Sequence, residues 1–155
     1  MHRIKEARRI LIILLLLMMS TTGCGSIRLI ASYDQKIDDG VTDLQKATAE
    51  FLTGIERQGG STPADYKDHT KFYDDCKVSL SGLIVRAGAL TGNNLTLQQL
   101  EILRQQFQDL EASDQKMGIP QAAVPQYEKA FNRTFTAILT LEVAKKEPKH
   151  EGAGE

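Results

Sequence analysis

Histidine and cysteine, common metal ligands in helical proteins, are scarce in this chain of 155 residues, which has three and two of them. After residue 23 only His69 and His150 remain, and neither Glu-x-x-His nor Cys-x-x-Cys-His occurs. Di-iron carboxylate bundles need Glu-x-x-His on two helices, and covalent haem attachment uses Cys-x-x-Cys-His. We therefore expect no cofactor. Asp65 and His69 form the best metal pair available, but without a third ligand a solvated ion pair is the favoured interpretation.

Basic clusters are also missing after residue 23. Residues 1–23 hold four basic residues and one acid, so 15 basic and 19 acidic residues remain, a formal charge of −4. This balance argues against nucleic-acid binding and against electrostatic adhesion to anionic lipid. No strand-period run of useful length occurs either, which leaves helices as the regular structure.

The apolar run from Ile10 to Met19 is the most distinctive stretch of the chain. Basic residues precede it, and the small residues Ser20 to Gly23 separate it from Cys24. This order is typical of a secretory signal peptide. As a helix the run rises about 15 Å, roughly half a bilayer core, so it is short for a membrane span. A buried core helix, the alternative, would show polar residues at a 3.6 period, and this run shows none.

Thr21-Thr22-Gly23-Cys24 resembles the lipobox of bacterial lipoproteins. The resemblance implies cleavage between Gly23 and Cys24, a diacylglyceryl group on the Cys24 thiol and an acyl chain such as palmitate on the new amino terminus. Thr21 departs from the usual Leu, so cleavage by ordinary signal peptidase and an uncleaved anchor stay open. Since Gly25 is not Asp, the resemblance to Gram-negative lipoproteins implies the periplasmic face of the outer membrane.

Four amphipathic segments follow, with apolar residues at steps of three and four. They predict helices at about 30–57, 63–90, 96–118 and 125–147. Short connections favour an all-α fold, an antiparallel up-down-up-down four-helix bundle, preceded by the signal-peptide helix. We expect a signal peptide at 1–23, a tether at 24–29, the bundle domain at 30–147 and a disordered tail at 148–155.

Local signals predict how some of these helices begin and cross. Thr62 offers a cap before Pro63, and Thr96 with Gln99 forms a capping box in which Leu95 staples against Leu100. Gly40 allows a neighbouring helix to approach closely, and small residues in the second half of the second helix (Ser79, Ser81, Gly82, Gly88 and Ala89) predict a tight crossing there.

The remaining side chains suggest no catalytic group. If Cys24 carries lipid, Cys76 has no partner for an intramolecular disulfide; burial is the favoured interpretation and pairing between chains the alternative. Cys76 and His69 are two turns apart, beyond hydrogen-bond reach. The four tyrosines (Tyr33, Tyr66, Tyr73 and Tyr127) are interpreted as residues near helix ends whose hydroxyls reach water. Paired carboxylates stay open, because acids line every helix.

The stretches SYDQKIDDGVTDL (32–44) and FNRTFTAILTLEVAKK (131–146) are similar to small helical lipoproteins of proteobacteria that have no assigned activity. The leading hypothesis is a non-enzymatic lipoprotein of the cell envelope, held in the membrane through Cys24, that acts as a structural or protein-interaction module with an envelope protein as partner. The alternative is a carrier of an apolar small molecule between the helices. A third hypothesis, an enzyme or metalloprotein at Asp65 and His69, needs a third ligand within about 5 Å.

Overall fold

A computed structural model describes residues 31–146. The predicted signal peptide, its cleavage site at Gly23 and Cys24, the tether and the tail lie outside these residues. Four long α-helices account for most of the described chain, with a 3₁₀ turn at Gln121–Ala123 before the last of them: α1 Gln35–Arg57, α2 Tyr66–Gly88, α3 Asn94–Met117 and α4 Val124–Lys146. No strand occurs in this part of the chain, apart from an isolated bridge between Gly60 and Pro120.

The helices pack as a ring around one core. α1 contacts α2 and α4, and α3 contacts the same two helices. The predicted all-α fold is therefore confirmed for residues 31–146. None of these helices combines the length and apolarity that a membrane crossing requires.

The apolar stripe of α1 explains why this segment is helical. Its buried positions follow steps of three and four, and they face the core while the acids of α1 lie outside: Ile37, Val41, Leu44, Thr48, Leu52 and Ile55. The predicted start near residue 30 is several residues early. The helix begins after Asp34, whose side chain accepts hydrogen bonds from the backbone N–H groups of Lys36 and Ile37, as an N-cap does.

Aromatic rings fill the middle of the core. Phe51 stacks on Phe72 with ring centroids 4.0 Å apart, and Phe107 lies 4.8 Å from Phe131. Phe107 and Phe131 are buried, and a fully buried side chain of this size contributes roughly 1.5–3 kcal/mol relative to an exposed one, whereas Phe51 and Phe72 are partly buried. Phe72 and Phe107, with ring centroids 6.1 Å apart, connect the two pairs, so the rings join all four helices into one core.

Two predicted helix starts are wrong. α2 begins at Tyr66, and Thr62 is no cap; its own N–H and hydroxyl donate to the carboxylate of Asp65. α3 begins at Asn94, two residues before its predicted position, and Leu95 is exposed rather than stapled. The Thr96 hydroxyl donates to Glu142 on α4, so a contact between helices replaces the expected local cap.

The two loops at one end of the bundle touch through their backbones. Ser61 N–H donates to Ile119 O at 2.8 Å, and Ile119 N–H donates to Ser61 Oγ at 2.8 Å. Gly118 lies at φ 77°, and a Cβ there would come within 2.1 Å of Ser61 O. Only glycine fits this crossing, which also confirms Gly118 as the end of α3.

The glycine that allows the close approach between α1 and α2 is Gly40 of α1. A Cβ on Gly40 would lie 2.8 Å from Leu83 Cδ2, so Gly40 lets α2 pack against α1. Cβ atoms on Gly82 and Gly88 would meet nothing within 4 Å. The second half of α2 therefore does cross α1 closely, at Leu83, but its own small residues Gly82 and Gly88 face open space and do not make this contact.

Candidate functional site

The described chain starts close to the predicted anchor. Ala31 is the seventh residue after Cys24, it is buried, and its N–H donates to Gly92 O in the α2–α3 loop at 3.2 Å. We call the surroundings of this contact the Ala31 end: residues 31–38, 86–96 and 142–146. Hydrogen bonds among these three segments hold the first described residues firmly on the bundle.

Two ion pairs close the Ala31 end. Arg86 Nε donates to both carboxylate oxygens of Asp34 at 2.7 and 2.8 Å, and Lys146 Nζ donates to Asp38 at 2.7 Å. Tyr33 joins the second pair, because its hydroxyl donates to Asp38 at 2.8 Å and Lys146 Nζ lies 4.4 Å from the centre of its ring. The start of α1 is thereby tied to the end of α2 and to the end of α4.

These contacts hold both carboxylates ionised. Burial alone would raise the pKa of Asp34, but hydrogen bonds from Arg86 and from two backbone N–H groups outweigh it and place that pKa below its usual range. Hydrogen bonds from Lys146 and Tyr33 lower the pKa of Asp38. Both groups therefore favour the folded end above the ordinary carboxylate pKa, and this contribution is lost as the pH falls through their depressed values.

A buried ion pair lies inside the Ala31 end. Glu142 is fully buried and Lys145 nearly so, and Lys145 Nζ donates to Glu142, to Thr96 and to Asn93. All three donors on Lys145 have partners, whereas the second oxygen of Glu142, Oε2, has none among residues 31–146. The sequence pattern missed Glu142, although it lies four residues after buried Ile138 on the inward stripe of α4.

The opposite end of the bundle has its own buried carboxylate. Asp114 is fully buried on α3 and is contacted by Ser61 Oγ at 2.8 Å, His69 Nδ1 at 2.7 Å and the Tyr73 hydroxyl at 3.0 Å. We call these four residues the Asp114 cluster. Its side chains come from the α1–α2 loop, α2 and α3, so it joins three parts of the chain.

The Asp114 cluster contains serine, histidine and aspartate but not the arrangement of a hydrolase triad. In a triad the histidine lies between the other two and accepts the serine proton. Here Ser61 donates to Asp114 itself. Its Oγ also accepts the N–H of Ile119, so this hydroxyl is held as a structural link and is not presented to a histidine.

His69 does not pair with Asp65 as the sequence suggested. Its Nδ1 lies against Asp114, while the Asp65 carboxylate accepts from Thr62. Residues 31–146 contain no group of three or more His, Cys, Asp or Glu side chains placed to hold a metal. The metalloprotein hypothesis at Asp65 and His69 thus lacks its third ligand in this part of the chain.

The hydroxyls of the four tyrosines bind protein groups rather than reaching only water. Tyr73 is buried, whereas the sequence interpretation placed it near a helix end with its hydroxyl in water. Burial and the charge of Asp114 raise the pKa of Tyr73 well above its usual range. Tyr66 donates to Glu111, which also accepts from Lys77, and Tyr127 donates to Ser113. Each is a contact between segments that are distant in sequence, which local patterns do not reveal.

Cys76 is a free, buried thiol, as the favoured interpretation predicted. Burial, with a smaller effect from the neighbouring charge of Asp75, raises its pKa to about 12. Cys76 lines a surface groove of about 480 Å³ between α1 and α2. The floor of the groove is apolar, from Leu44, Phe72 and Leu83, and the small residues Gly40, Ala47, Ser79 and Gly82 keep it open.

The outer face of α2 is an exposed strip without charge. Val78 and Val85 are largely exposed. Small residues at helical spacing lie around them on the same side of the helix: Ser81, Gly82, Gly88 and Ala89. We call these six residues the α2 strip. A second apolar hollow of about 160 Å³ separates it from α3.

Comparison of the chain with protein-family models, with curated proteins and with solved structures found no match.

Proposed function

We propose that the protein is a lipoprotein of the cell envelope, anchored through Cys24, whose bundle is a non-enzymatic module that binds an envelope protein. The lipobox-like residues before Cys24 support the anchor. We place it on the periplasmic face of the outer membrane, because Gly25 is not the Asp that retains Gram-negative lipoproteins at the inner membrane. The similarity of residues 32–44 and 131–146 to small helical lipoproteins of proteobacteria also supports a lipoprotein.

We further propose that the four helices run up, down, up and down, as an antiparallel bundle. The hydrogen bonds support this order. The start of α1, the end of α2, the start of α3 and the end of α4 meet at the Ala31 end, and the other four termini lie toward the Asp114 cluster. Short connections between consecutive helices are typical of this topology.

The α2 strip is the observation that carries the proposed interaction. Valine side chains that stand in water gain free energy when a partner covers them. Small residues between them let a partner backbone come close, and no charge along the strip would have to be desolvated. A helix of an envelope protein, laid along α2, fits this surface.

The anchor is tested by metabolic labelling with a fatty-acid analogue, comparing wild type with Cys24→Ala and separating inner from outer membranes. We expect label in the wild-type protein in the outer membrane and none in the variant. An unlabelled protein, free in the periplasm, would show that Thr21 prevents lipidation, and the proposal of an anchor would fall.

The interaction is tested with a photo-crosslinking amino acid at position 85 in cells. We expect one discrete adduct with an envelope protein, because position 85 lies in the centre of the α2 strip. The same amino acid at the exposed position 53 on α1 is the control. Equal or absent crosslinking at both positions would remove the α2 strip as the binding surface.

A second candidate function is carriage of a small apolar molecule, and the groove between α1 and α2 is the observation in its favour. Its volume lies in the range of small-molecule sites. Gly82→Leu would place a side chain in this groove, since a Cβ there meets no atom within 4 Å. Gly54→Leu, equally free of clashes and away from the groove, is the matched control. Saturable binding of a fluorescent fatty acid that only Gly82→Leu abolishes would support carriage.

A further inference from the structure

The Ala31 end has to lie near any membrane that holds Cys24. Ala31 is the seventh residue after Cys24, and seven fully extended residues span at most about 25 Å. A flexible chain of this length has an average span of about 15 Å. The helices, at about 1.5 Å per residue, are about 35 Å long. The Ala31 end therefore stays within reach of the lipid headgroups, while the Asp114 cluster lies most of a helix length farther from Cys24 along the bundle.

Two aliphatic side chains project into solvent at this end. Leu95, in the first turn of α3, is 63% exposed, and Val143, in the last turn of α4, is 51% exposed. They lie on neighbouring elements, because Thr96 donates a hydrogen bond to Glu142 between these two turns. Residues 31–146 leave at least half of each side chain uncovered, so an apolar surface outside the bundle would bury both.

Besides the buried pair of Glu142 and Lys145, the Ala31 end has two ion pairs in which the acid lies inside and the base outside. Asp34 is 8% exposed and its partner Arg86 43%; Asp38 is 17% exposed and its partner Lys146 45%. Lys36 is exposed as well, and Asp39 is the exposed acid beside it. The cationic groups thus face solvent while their counter-charges point inward, which suits an anionic surface.

Tyr33 adds a side chain of the kind that collects at membrane interfaces. Its ring is half-buried, and Lys146 Nζ lies 4.4 Å from the ring centre. Tyrosine and lysine both combine an apolar body with a polar tip, and both are typical of the boundary between lipid and water.

We propose that the Ala31 end docks directly on an anionic lipid surface, with Leu95 and Val143 in the headgroup boundary and Lys36, Arg86 and Lys146 on lipid phosphates. This contact rests on the proposed anchor at Cys24, which brings the end to the membrane. It fixes the bundle upright, with the α2 strip along its side and accessible to a protein partner. The formal charge of −4 after residue 23 is a sum over all of those residues, so it does not reveal this local cationic face.

The test is site-specific fluorescence with the full-length lipidated protein in vesicles of phosphatidylethanolamine and phosphatidylglycerol. Leu95→Cys, Val143→Cys and Met117→Cys are each labelled with a polarity-sensitive thiol dye. Met117 is the control, since it is similarly exposed but at the other end of α3. Cys24 carries lipid and Cys76 is buried, so the dye reports the introduced thiol. We expect a blue shift and quenching by brominated lipid at positions 95 and 143 and neither at position 117.

Flotation of the vesicles distinguishes failure of the proposed docking of the Ala31 end from failure of the proposed anchor at Cys24. Protein that floats with the vesicles while the labels at positions 95 and 143 stay as water-exposed as the label at 117 would overturn docking and leave the anchor intact. Protein that carries no lipid and does not float would overturn both. Leu95→Asp should lose the quenching of a label at 143, whereas Met117→Asp should keep it; equal quenching in both variants would also overturn docking. Both positions are exposed, so neither variant should disturb folding.

Discussion

Removal of the Asp114 carboxylate should destabilise the bundle more than any other single loss of a charge on α3. Asp114 is fully buried and accepts from Ser61, Tyr73 and His69 at 2.7–3.0 Å. A hydrogen bond to a charged group contributes about 1.5–3 kcal/mol. In Asp114→Ala, Ser61 and His69 can turn to water because they are partly exposed, but Tyr73 cannot. We expect a loss of about 3–5 kcal/mol, the range for breaking a buried polar pair.

Urea denaturation followed by circular dichroism measures this loss. At an m-value of about 1.5–2 kcal/mol/M, the midpoint should fall by about 2 M. Asp109→Ala is the matched control, because Asp109 is an exposed acid on the same helix, and it should change stability by about 0.5 kcal/mol or less. A loss under about 1 kcal/mol in Asp114→Ala would refute the argument that this cluster joins the three segments.

Tyr73→Phe should destabilise the bundle less than Asp114→Ala, and its effect on stability should depend on pH. It leaves Asp114 with two partners, so we expect a loss of about 1–2 kcal/mol at neutral pH. Burial and the charge of Asp114 raise the pKa of Tyr73 in the folded state, whereas an unfolded tyrosine ionises near about pH 10. The tyrosine therefore supports folding below its unfolded pKa, and this support fades as the pH rises. Between about pH 9 and 11, wild type should lose more stability than Tyr73→Phe; parallel losses would contradict the assignment.

Three further outcomes follow from burial and backbone geometry. Burial raises the pKa of Cys76 to about 12. At pH 8 this thiol should therefore react with a thiol reagent on the order of 100-fold more slowly in the folded protein than in urea. Comparable rates would show the thiol to be exposed. Gly118→Ala should lower the free energy of unfolding by at least about 2 kcal/mol, because φ is 77° and the new Cβ would clash with Ser61 O. Gly54→Ala, where a Cβ meets no atom, should raise it by up to about 1 kcal/mol. Thermal denaturation measures both changes. Lys145→Met should lower the free energy of unfolding by about 3–5 kcal/mol, because it leaves buried Glu142 without its counter-charge. The double variant with Glu142→Leu should recover most of this loss in the same assay.

The helices and most of the core follow from periodicity alone. The positions of Ile37, Val41 and Leu44 repeat at steps of four and three, and burial at those steps requires no knowledge of the partner helix. Cys76 was placed in the core by the same spacing. The starts of α2 and α3 were less predictable, because a side chain that could cap a helix locally can instead bond a partner that is distant in sequence. The Thr96 hydroxyl, for example, bonds a carboxylate 46 residues away.

The two buried carboxylates show where periodicity stops being informative. Asp114 follows Phe107 and Leu110 at steps of three and four, and Glu142 follows Phe135 and Ile138 in the same way. Both occupy core positions by spacing, but a pattern that follows only apolar residues passes over them. An acid on an otherwise apolar stripe is the available signal. Its meaning depends on a partner from another helix, which the local pattern does not contain.

These carboxylates also restrict how the helices align. Apolar side chains accept many neighbours, so a one-turn slip of α4 along α3 would still bury leucine and phenylalanine. It would separate Glu142 from Thr96, which now share a hydrogen bond of 2.9 Å. A similar slip of α2 along α3 would separate Tyr73 from Asp114. Because a buried charge without a partner is costly, each contact favours one alignment. The two act at opposite ends of α3, so together they fix this helix against both of its neighbours.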